Sequence, residues 1–511
     1  MTSKMLMGDM PELMENILKH LNNEIGSLYS CALVNRHWCK MSIPILWKDP
    51  FSIKRRTLFI PIYFSSFGES EKLIIKECLK ELGINIEFSK LLFDYARFLK
   101  VLYTHQLADK VREWICLKLD HPYLPVPYYD SRTAPLITLL FKLFIENGAI
   151  LHEFGLYPYE FLKFELEIFH SLEQNLQFYS SLQHLSLNII SKFGIENITT
   201  ELLRVLAKNT TKIIALRLFV RFYYEPQLIH TLFPALIHFI KSQEQLRKFI
   251  LDVDYCTEFY GIISALNSQK NTLQEVFSAE FEVLNNCKNL ETLRIFNCDT
   301  ELLKILDYNI STLEISYSLI DGPIIVQILE KVGISLQRLK IEVDREETLL
   351  LEALKSFCPN IIYLYITNLG LSTQLIELIG NLQKLQFLSL GFFYHTPKEE
   401  GKIRVMQLAK ILPSTLQYLD IALGIPDALL DSFIVILLDH CNAPLKQLLI
   451  SGGNINNEKN AKALIRYCTR NRSLNYVGMV KYYDYDLGDD IRNELEKYAT
   501  LVPYKHIVVN C

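Results

Sequence analysis

From Pro11 to Leu21 the apolar positions keep a helical period. Leu13, Met14, Ile17, Leu18 and Leu21 fall at the i, i+1, i+4, i+5, i+8 spacing of one helix face. Pro11 suits the first turn, where its missing N–H would have no partner in any case. Asn22 and Asn23 interrupt the pattern, and Gly26 and Ser27 introduce a second helix over about Leu28 to Met41, with Ser27 its expected N-cap. Leu28, Cys31, Ala32 and Trp38 form one stripe of that helix, while Tyr29, Leu33 and Val34 lie outside it. So small a unit cannot cover two apolar faces by itself, so another surface is expected to cover the second. Pro44 is expected to stop the helix and Ile45-Leu46-Trp47 to supply a short third element.

Residues 51 to 113 read as mainly helical, one helix opening near Ser70 and stopping at Gly83, another opening near Ser89. Beyond them a different pattern sets in. The triplet L-x-x-L-x-L returns at Leu182, Ile213, Leu246, Leu290, Ile310, Leu336, Ile361, Leu385, Leu416, Leu445 and, in weaker form, Leu474. From Leu290 the starts are 20, 26, 25, 24, 31, 29 and 29 residues apart, and helical tracts such as "TQLIELIGN" and "LDSFIVILLDHC" lie between them. Earlier matches stand at Trp114 ("WICLKL") and Leu151 ("LHEFGL"), and a degenerate one at Leu273 ("LQEVFSA"). The period predicts a strand and a helix per repeat. The last two apolar residues of each triplet point inward, the residue between them points outward, and each repeat covers its neighbour's open edge. The outward set is Ser186, Arg217, Arg294, Glu314, Lys340, Glu342, Tyr365, Thr367, Ser389 and Asp420. As a set, its mixed charge with tyrosine suits a protein partner better than a phosphate backbone, although any single one of these residues is more readily a solvated sheet position than a binding one.

The ordered set Met10-Pro11-x-Leu13-Met14-x-x-Ile17-Leu18-x-x-Leu21, Leu28-x-x-Cys31-x-Leu33-Val34-x-Arg36-x-Trp38 and Pro44-x-Leu46-Trp47 resembles an F-box over residues 8–50, with Met10 where many members have leucine. The resemblance implies a three-helix module that binds a Skp-type adaptor and through it a cullin-based ubiquitin ligase. Met10, Pro11, Leu13, Ile17, Leu33 and Val34 would then face the adaptor, and Trp38 and Trp47 would brace the module or line its edge. Residues 111–511, most regular from 285, resemble leucine-rich repeat proteins, although the Asn or Cys usual after the strand is mostly missing. Together these imply an α/β chain: a three-helix F-box, a helical connector over 51–110, and a leucine-rich-repeat solenoid of horseshoe form.

Composition narrows the function. Half the residues are hydrophobic and 22% are charged, enough to bury a large core. The 53 basic and 57 acidic residues nearly balance and form no long block of one sign, so the totals carry no footprint for nucleic acid or anionic membrane. No apolar run reaches the ~18 residues of a membrane span. The first residues lack the apolar core of a secretory signal, and the eleven cysteines include no CxxC pair. A cytoplasmic or nuclear location with reduced thiols is expected. There is no GxGxxG, no phosphate-binding GxxxxGK, no HExxH and no EF-hand pattern, so neither a cofactor nor a metal is expected. The expectation is a non-catalytic substrate receptor whose F-box docks the adaptor and whose repeats hold a target protein. A repeat scaffold that recruits no ligase, or a hydrolase site within residues 115–180, are the other readings.

Overall fold

The computed structural model describes residues 11–21, 24–52, 57–119, 126–157, 171–172, 174–190, 195–221, 226–253, 260–278, 287, 289–296, 310–316, 322–342, 347–393, 398–424, 427–451, 458–479 and 493–503. The chain divides into two compact units, Met1–Leu273 and Gln274–Cys511.

The first unit opens with helices α1 (Pro11–His20), α2 (Ile25–Ala32) and α3 (Arg36–Leu46). Helix α3 packs on both of the others, and Met14, Leu18 and Leu28 are buried. The single helix expected over Leu28 to Met41 is therefore two. Asn35 breaks it: in extended conformation, its side-chain oxygen accepts the N–H of Trp38 at 2.9 Å and so caps a new helix. Ser27 is not a cap. Glu24 holds that position, and the Ser27 hydroxyl donates to its carboxylate at 3.0 Å. Nor does Pro44 stop the chain. It lies inside α3, whose last turn closes across it when the Trp47 N–H donates to the Ile43 carbonyl at 2.9 Å, so Ile45 and Leu46 finish α3 instead of forming a third element.

Helices α4 (Ile60–Ser65) and α5 (Glu69–Glu81) follow. Gly68 takes the N-cap of α5 in extended conformation, while the expected cap, Ser70, donates its hydroxyl to Glu71 at 2.9 Å. Gly83, at φ 78°, ends the helix. The Ile84 N–H reaches back to the Leu79 carbonyl and the Gly83 N–H to that of Lys80, a pairing that needs a left-handed residue between them. Ser89 caps nothing: residues 89–100 hold one 3-10 turn (Ala96–Phe98), then comes strand β1 (Val101–Tyr103) and helix α6 (Thr104–Leu119). The first parallel strand thus lies inside the segment expected as connector. The triplet at Trp114 belongs to α6, where Trp114 and Ile115 are buried with Leu107, Ala108 and Val111 on helical spacing, so it is no strand.

Strands β2 (Glu153–Leu156), β3 (His184–Ile190), β4 (Ala215–Arg221) and β5 (Lys248–Val253) then run in chain order, each parallel to the one before. Long helices at Val126–Glu146, Ile195–Asn209 and Pro226–Ser242 alternate with them. The second unit continues with β6 (Glu275–Ser278), β7 (Thr292–Phe296), β8 (Thr312–Ser316), β9 (Arg338–Glu342), β10 (Tyr363–Leu369), β11 (Phe387–Phe393), β12 (Tyr418–Gly424), β13 (Gln447–Ser451), β14 (Tyr476–Met479) and β15 (Thr500–Pro503), and helices from Gly322–Val332 to Glu458–Arg470 alternate with β8 to β14. All of these pair in parallel with their chain neighbours. Parallel strands paired in sequence order, with helices between most of them among the described residues, form a leucine-rich-repeat-like α/β fold.

One backbone device recurs along both units. The carbonyl of the residue just before each strand accepts two N–H groups from the next repeat. In the first unit the acceptors are Lys100, His152, Gln183 and Ile214, and in the second they run from Gln274 and Glu291 to Gln417 and Lys446. The residue before each of these acceptors is the leucine or isoleucine that opens the triplet, and it is buried: Leu99, Leu151, Leu182, Ile213 and Leu273 in the first unit, Leu290 to Leu445 in the second. Lys48 does the same for β1, its carbonyl accepting the N–H groups of Lys100 (2.9 Å) and Val101 (3.2 Å). Trp47 therefore stands where each repeat places its opening leucine. Only 9% exposed, it packs against Tyr95, Tyr63 and Phe59 at ring separations of 4.3, 5.1 and 6.2 Å. The turn after α3 thus makes the inter-repeat contact at the start of β1.

Candidate functional site

Two surfaces follow from this construction. The first is on the three helices. Burying Met14 and Leu18 on one side of α1 turns Ile17 outward, and closing α2 at Leu33 puts that residue and Val34 at the turn. Ile17 is 40% exposed, Tyr29 61%, Leu33 71% and Val34 56%. Of the other residues expected at this surface, Pro11 and Leu13 lie in α1 with side chains outside the described set, and Met10 lies outside the described residues. Trp38 is half-buried on α3, whereas Trp47 is buried against Phe59, Tyr63 and Tyr95.

The second surface is the outward row of the strands. In the second unit the register places Arg294, Glu314, Lys340, Tyr365, Ser389 and Asp420 side by side on successive strands. These positions were expected to line a target-binding face; of the charged members, Arg294, Glu314 and Lys340 engage one another. Arg294 bridges Glu275 and Glu314, its Nε 2.7 Å from a Glu314 oxygen, and Glu314 also takes the Lys340 ammonium. These side chains are only 13–26% exposed, so the ladder is partly desolvated. Burial alone would lower the Lys340 pKa, but the hydrogen bond and charge of Glu314 outweigh it and hold the ammonium above its ordinary value. Lys340 also lies 5.3 Å from the ring centre of Tyr365, whose phenol is pushed up chiefly by burial. Glu342 and Thr367 are half-buried where β9 and β10 continue.

Ser186, Ser389 and Asp420 depart from expectation, being 4%, 6% and 5% exposed. They are short side chains between larger neighbours, and each has a partner within the fold. The Ser389 hydroxyl donates to Asp420 at 3.1 Å, and Ser186 shares a hydrogen bond of 3.1 Å with the Tyr157 hydroxyl. Arg217, next to Ser186 in register, is exposed.

A second row, at the strand starts, was missed, and its Tyr363 and Tyr418 are buried at 3% and 2% exposure. Arg338 lies 4.9 Å from the ring centre of Tyr363, and Tyr363, Phe387 and Tyr418 follow at ring separations of 6.3 and 5.8 Å, directly opposite one another in register. They occupy the third position of "LQRLKI", "IIYLYI", "LQFLSL" and "LQYLDI", so aromatic recurrence at one repeat position was the available signal. In the first unit the outward face is also aromatic. Tyr103 lies over Gly155, where a Cβ would come within 2.1 Å of the ring, and its hydroxyl donates to Glu153 at 3.2 Å. Burial, then the Glu153 charge, pushes the Tyr103 phenol well above its usual range. On the other side of Glu153 stands His184, 3.4 Å away.

Nothing in these rows assembles a nucleophile with a base, and among the described residues no group of three or more His, Cys, Asp or Glu side chains is placed to hold a metal ion. No helix of the described residues is long and apolar enough to cross a membrane. What the geometry offers is extended contact area.

No protein-family model matches the chain, and no curated protein does. Among solved structures it is similar to a protein from Bacteroides fragilis at 15% identity and a TM-score of 0.32, over 51% of this chain and 73% of that one. It is also similar to the leucine-rich repeat-containing protein LegL7 from Legionella pneumophila at 14% identity and a TM-score of 0.29, over 69% of this chain and 90% of that one. At such scores the fold assignment rests on the register and hydrogen bonding of the repeats themselves.

Proposed function

We propose that this chain is the non-catalytic substrate receptor of a Skp/cullin/F-box ubiquitin ligase, in which helices α1 to α3 dock the Skp-type adaptor and the outward strand rows hold a target protein. The observation that supports the reading most is the exposure of Ile17, Leu33 and Val34, apolar residues that a mere bracing bundle would bury against the repeats. Tyr29 extends the same helical surface. The ordered F-box-like spacing of the sequence names the same residues. The chain makes no covalent bonds in this scheme. It contributes proximity, turning an encounter between separate molecules into a local one at high effective concentration. A target would meet half-buried tyrosine and a charge ladder already neutralised within the fold, a surface suited to polar and aromatic contacts.

The test is the affinity of the full chain for a purified Skp-type adaptor, beside the double variant Leu33→Asp, Val34→Asp. Tight binding that is lost in a variant with an unchanged circular dichroism spectrum is the expected result. No binding by the intact chain would favour a scaffold that recruits no ligase.

A further inference from the structure

The bridging carbonyls define a rim, one residue per repeat, at the start of the strands. In the second unit it is mostly neutral and polar, including Gln274, Ser311, Gln337, Gln386, Gln417 and Asn475. At the start of the first unit it is cationic: Lys48, Lys100 and His152 are consecutive, bridged to one another by the carbonyls of Lys48 and Lys100. Neighbouring strands lie ~4.8 Å apart, so the three side chains start within about 10 Å. All three are half-buried. Among the described residues none of them forms an ion pair, and the nearby carboxylate of Glu153 is already engaged by Tyr103 and His184. Burial, and then neighbouring positive charge, shows in the titration of Lys100 and His152. Lys100 is held below its ordinary value by burial and by Arg97, and His152 below its own by burial and then by Lys100 and Lys48. The sequence has 57 acidic and 53 basic residues, yet among the described residues no carboxylate pairs with these lysines.

We propose that Lys48, Lys100 and His152 form a binding site for an oxyanion carried by a partner protein, a phosphorylated or carboxylate-rich segment that lies across the rim beside the three-helix module. An oxyanion would accept charge-assisted hydrogen bonds from both ammonium groups and restore the proton of His152, which donates a third. The extent of the site selects the partner class. The rim turns neutral at Gln183 and Ile214, so the consecutive cationic run spans about 10 Å before Arg247, too short to follow a nucleic-acid backbone or a lipid surface and long enough for one or two anionic side chains. The site does not depend on adaptor docking.

The experiment measures binding of the full chain, by fluorescence anisotropy, to pools of short degenerate peptides with a fixed centre: phosphoserine, phosphothreonine, paired glutamates, or neutral serine and glutamine. The wild type is expected to bind at least one anionic pool about tenfold or more tightly than the neutral pool, and the double variant Lys48→Gln, Lys100→Gln to lose that preference. Lys446→Gln, at the same rim position of the second unit, should keep it. The winning pool identifies phosphate or carboxylate as the source. Equal binding of all pools by the wild type, or an undiminished preference in the double variant, overturns the site. Should the double variant fold poorly, the wild type decides alone: the preference must fall steeply between ~50 and ~300 mM salt, and a flat response overturns it equally. Adaptor binding measured on the same double variant is expected to be unchanged, which separates failure here from failure of the receptor reading.

Discussion

Replacing Trp47 with alanine tests whether the end of α3 is part of the repeat array. An aromatic side chain of this kind buries ~150–250 Å², and with the ring 9% exposed nearly all of that is removed from water. At ~25 cal/mol per Å² this amounts to about 4–6 kcal/mol, and allowance for a compact unfolded chain lowers it to ~3–4 kcal/mol. Core Phe or Trp to alanine changes span a similar ~3–5 kcal/mol. The loss should fall on the segment that Trp47 anchors. Hydrogen exchange followed by mass spectrometry is therefore the assay, read at the amides of Lys100 and Val101, which donate to the Lys48 carbonyl, and of His152 and Glu153 one repeat on. With every ~1.4 kcal/mol worth tenfold, these amides should exchange a few hundredfold faster in Trp47→Ala. Trp38→Ala is the control, because Trp38 is half-buried on α3 and outside the aromatic wall. If Lys100 and Val101 keep wild-type protection in Trp47→Ala, or lose it equally in Trp38→Ala, then Trp47 does not serve as a first repeat residue.

Two further outcomes follow from the outward rows. Glu314→Gln strips Arg294 and Lys340 of their shared carboxylate in a partly desolvated ladder; between the ~0–1 kcal/mol of an exposed pair and the ~3–5 of a broken buried one, a loss of about 1–3 kcal/mol is expected. Thermal melting should show it as a fall of about 2–12 °C, and an unchanged melt would mean the ladder is merely a solvated surface. Gly155→Ala forces the Tyr103 ring away from a Cβ that would lie 2.1 Å from it, at a cost of about 1–3 kcal/mol. Because burial and Glu153 together hold that phenol un-ionised, ultraviolet titration of the variant should show one tyrosine ionising at lower pH than in the wild type; an unmoved titration would refute the contact.

Some of this architecture was plain in the residues and some was not, for physical reasons. The triplet openings from Leu290 onward could be read because burial demands an apolar residue at the same place in each repeat, and the strands begin two residues after each opening. The triplet at Trp114 misled because its apolar spacing also fits a helix face. The break at Asn35 had a signal in a strong capping residue, which the apolar stripe through Trp38 outweighed in the reading. The role of Trp47 had none, since it depends on a carbonyl whose partners are more than fifty residues away. Outwardness was readable at Ser186, Ser389 and Asp420, but exposure was not, because shielding of a short side chain comes from its neighbours. The cationic rim escaped notice because it occupies a position of the triplet that the apolar pattern leaves free.

The sequential order of the strands also bears on how the chain can fold. Within each unit every strand borders the ones just before and after it, so no pairing must wait for a distant part of the chain. From Leu290 the interval to be closed at each step stays at 20–31 residues. Since closure entropy grows only as (3/2)RT ln n, lengthening the interval across that range adds only ~0.4 kcal/mol per step. Ordering can thus spread from whichever repeats form first, each finished strand offering a template for the next. What limits the spread is the strength of each neighbour contact rather than the length of the array.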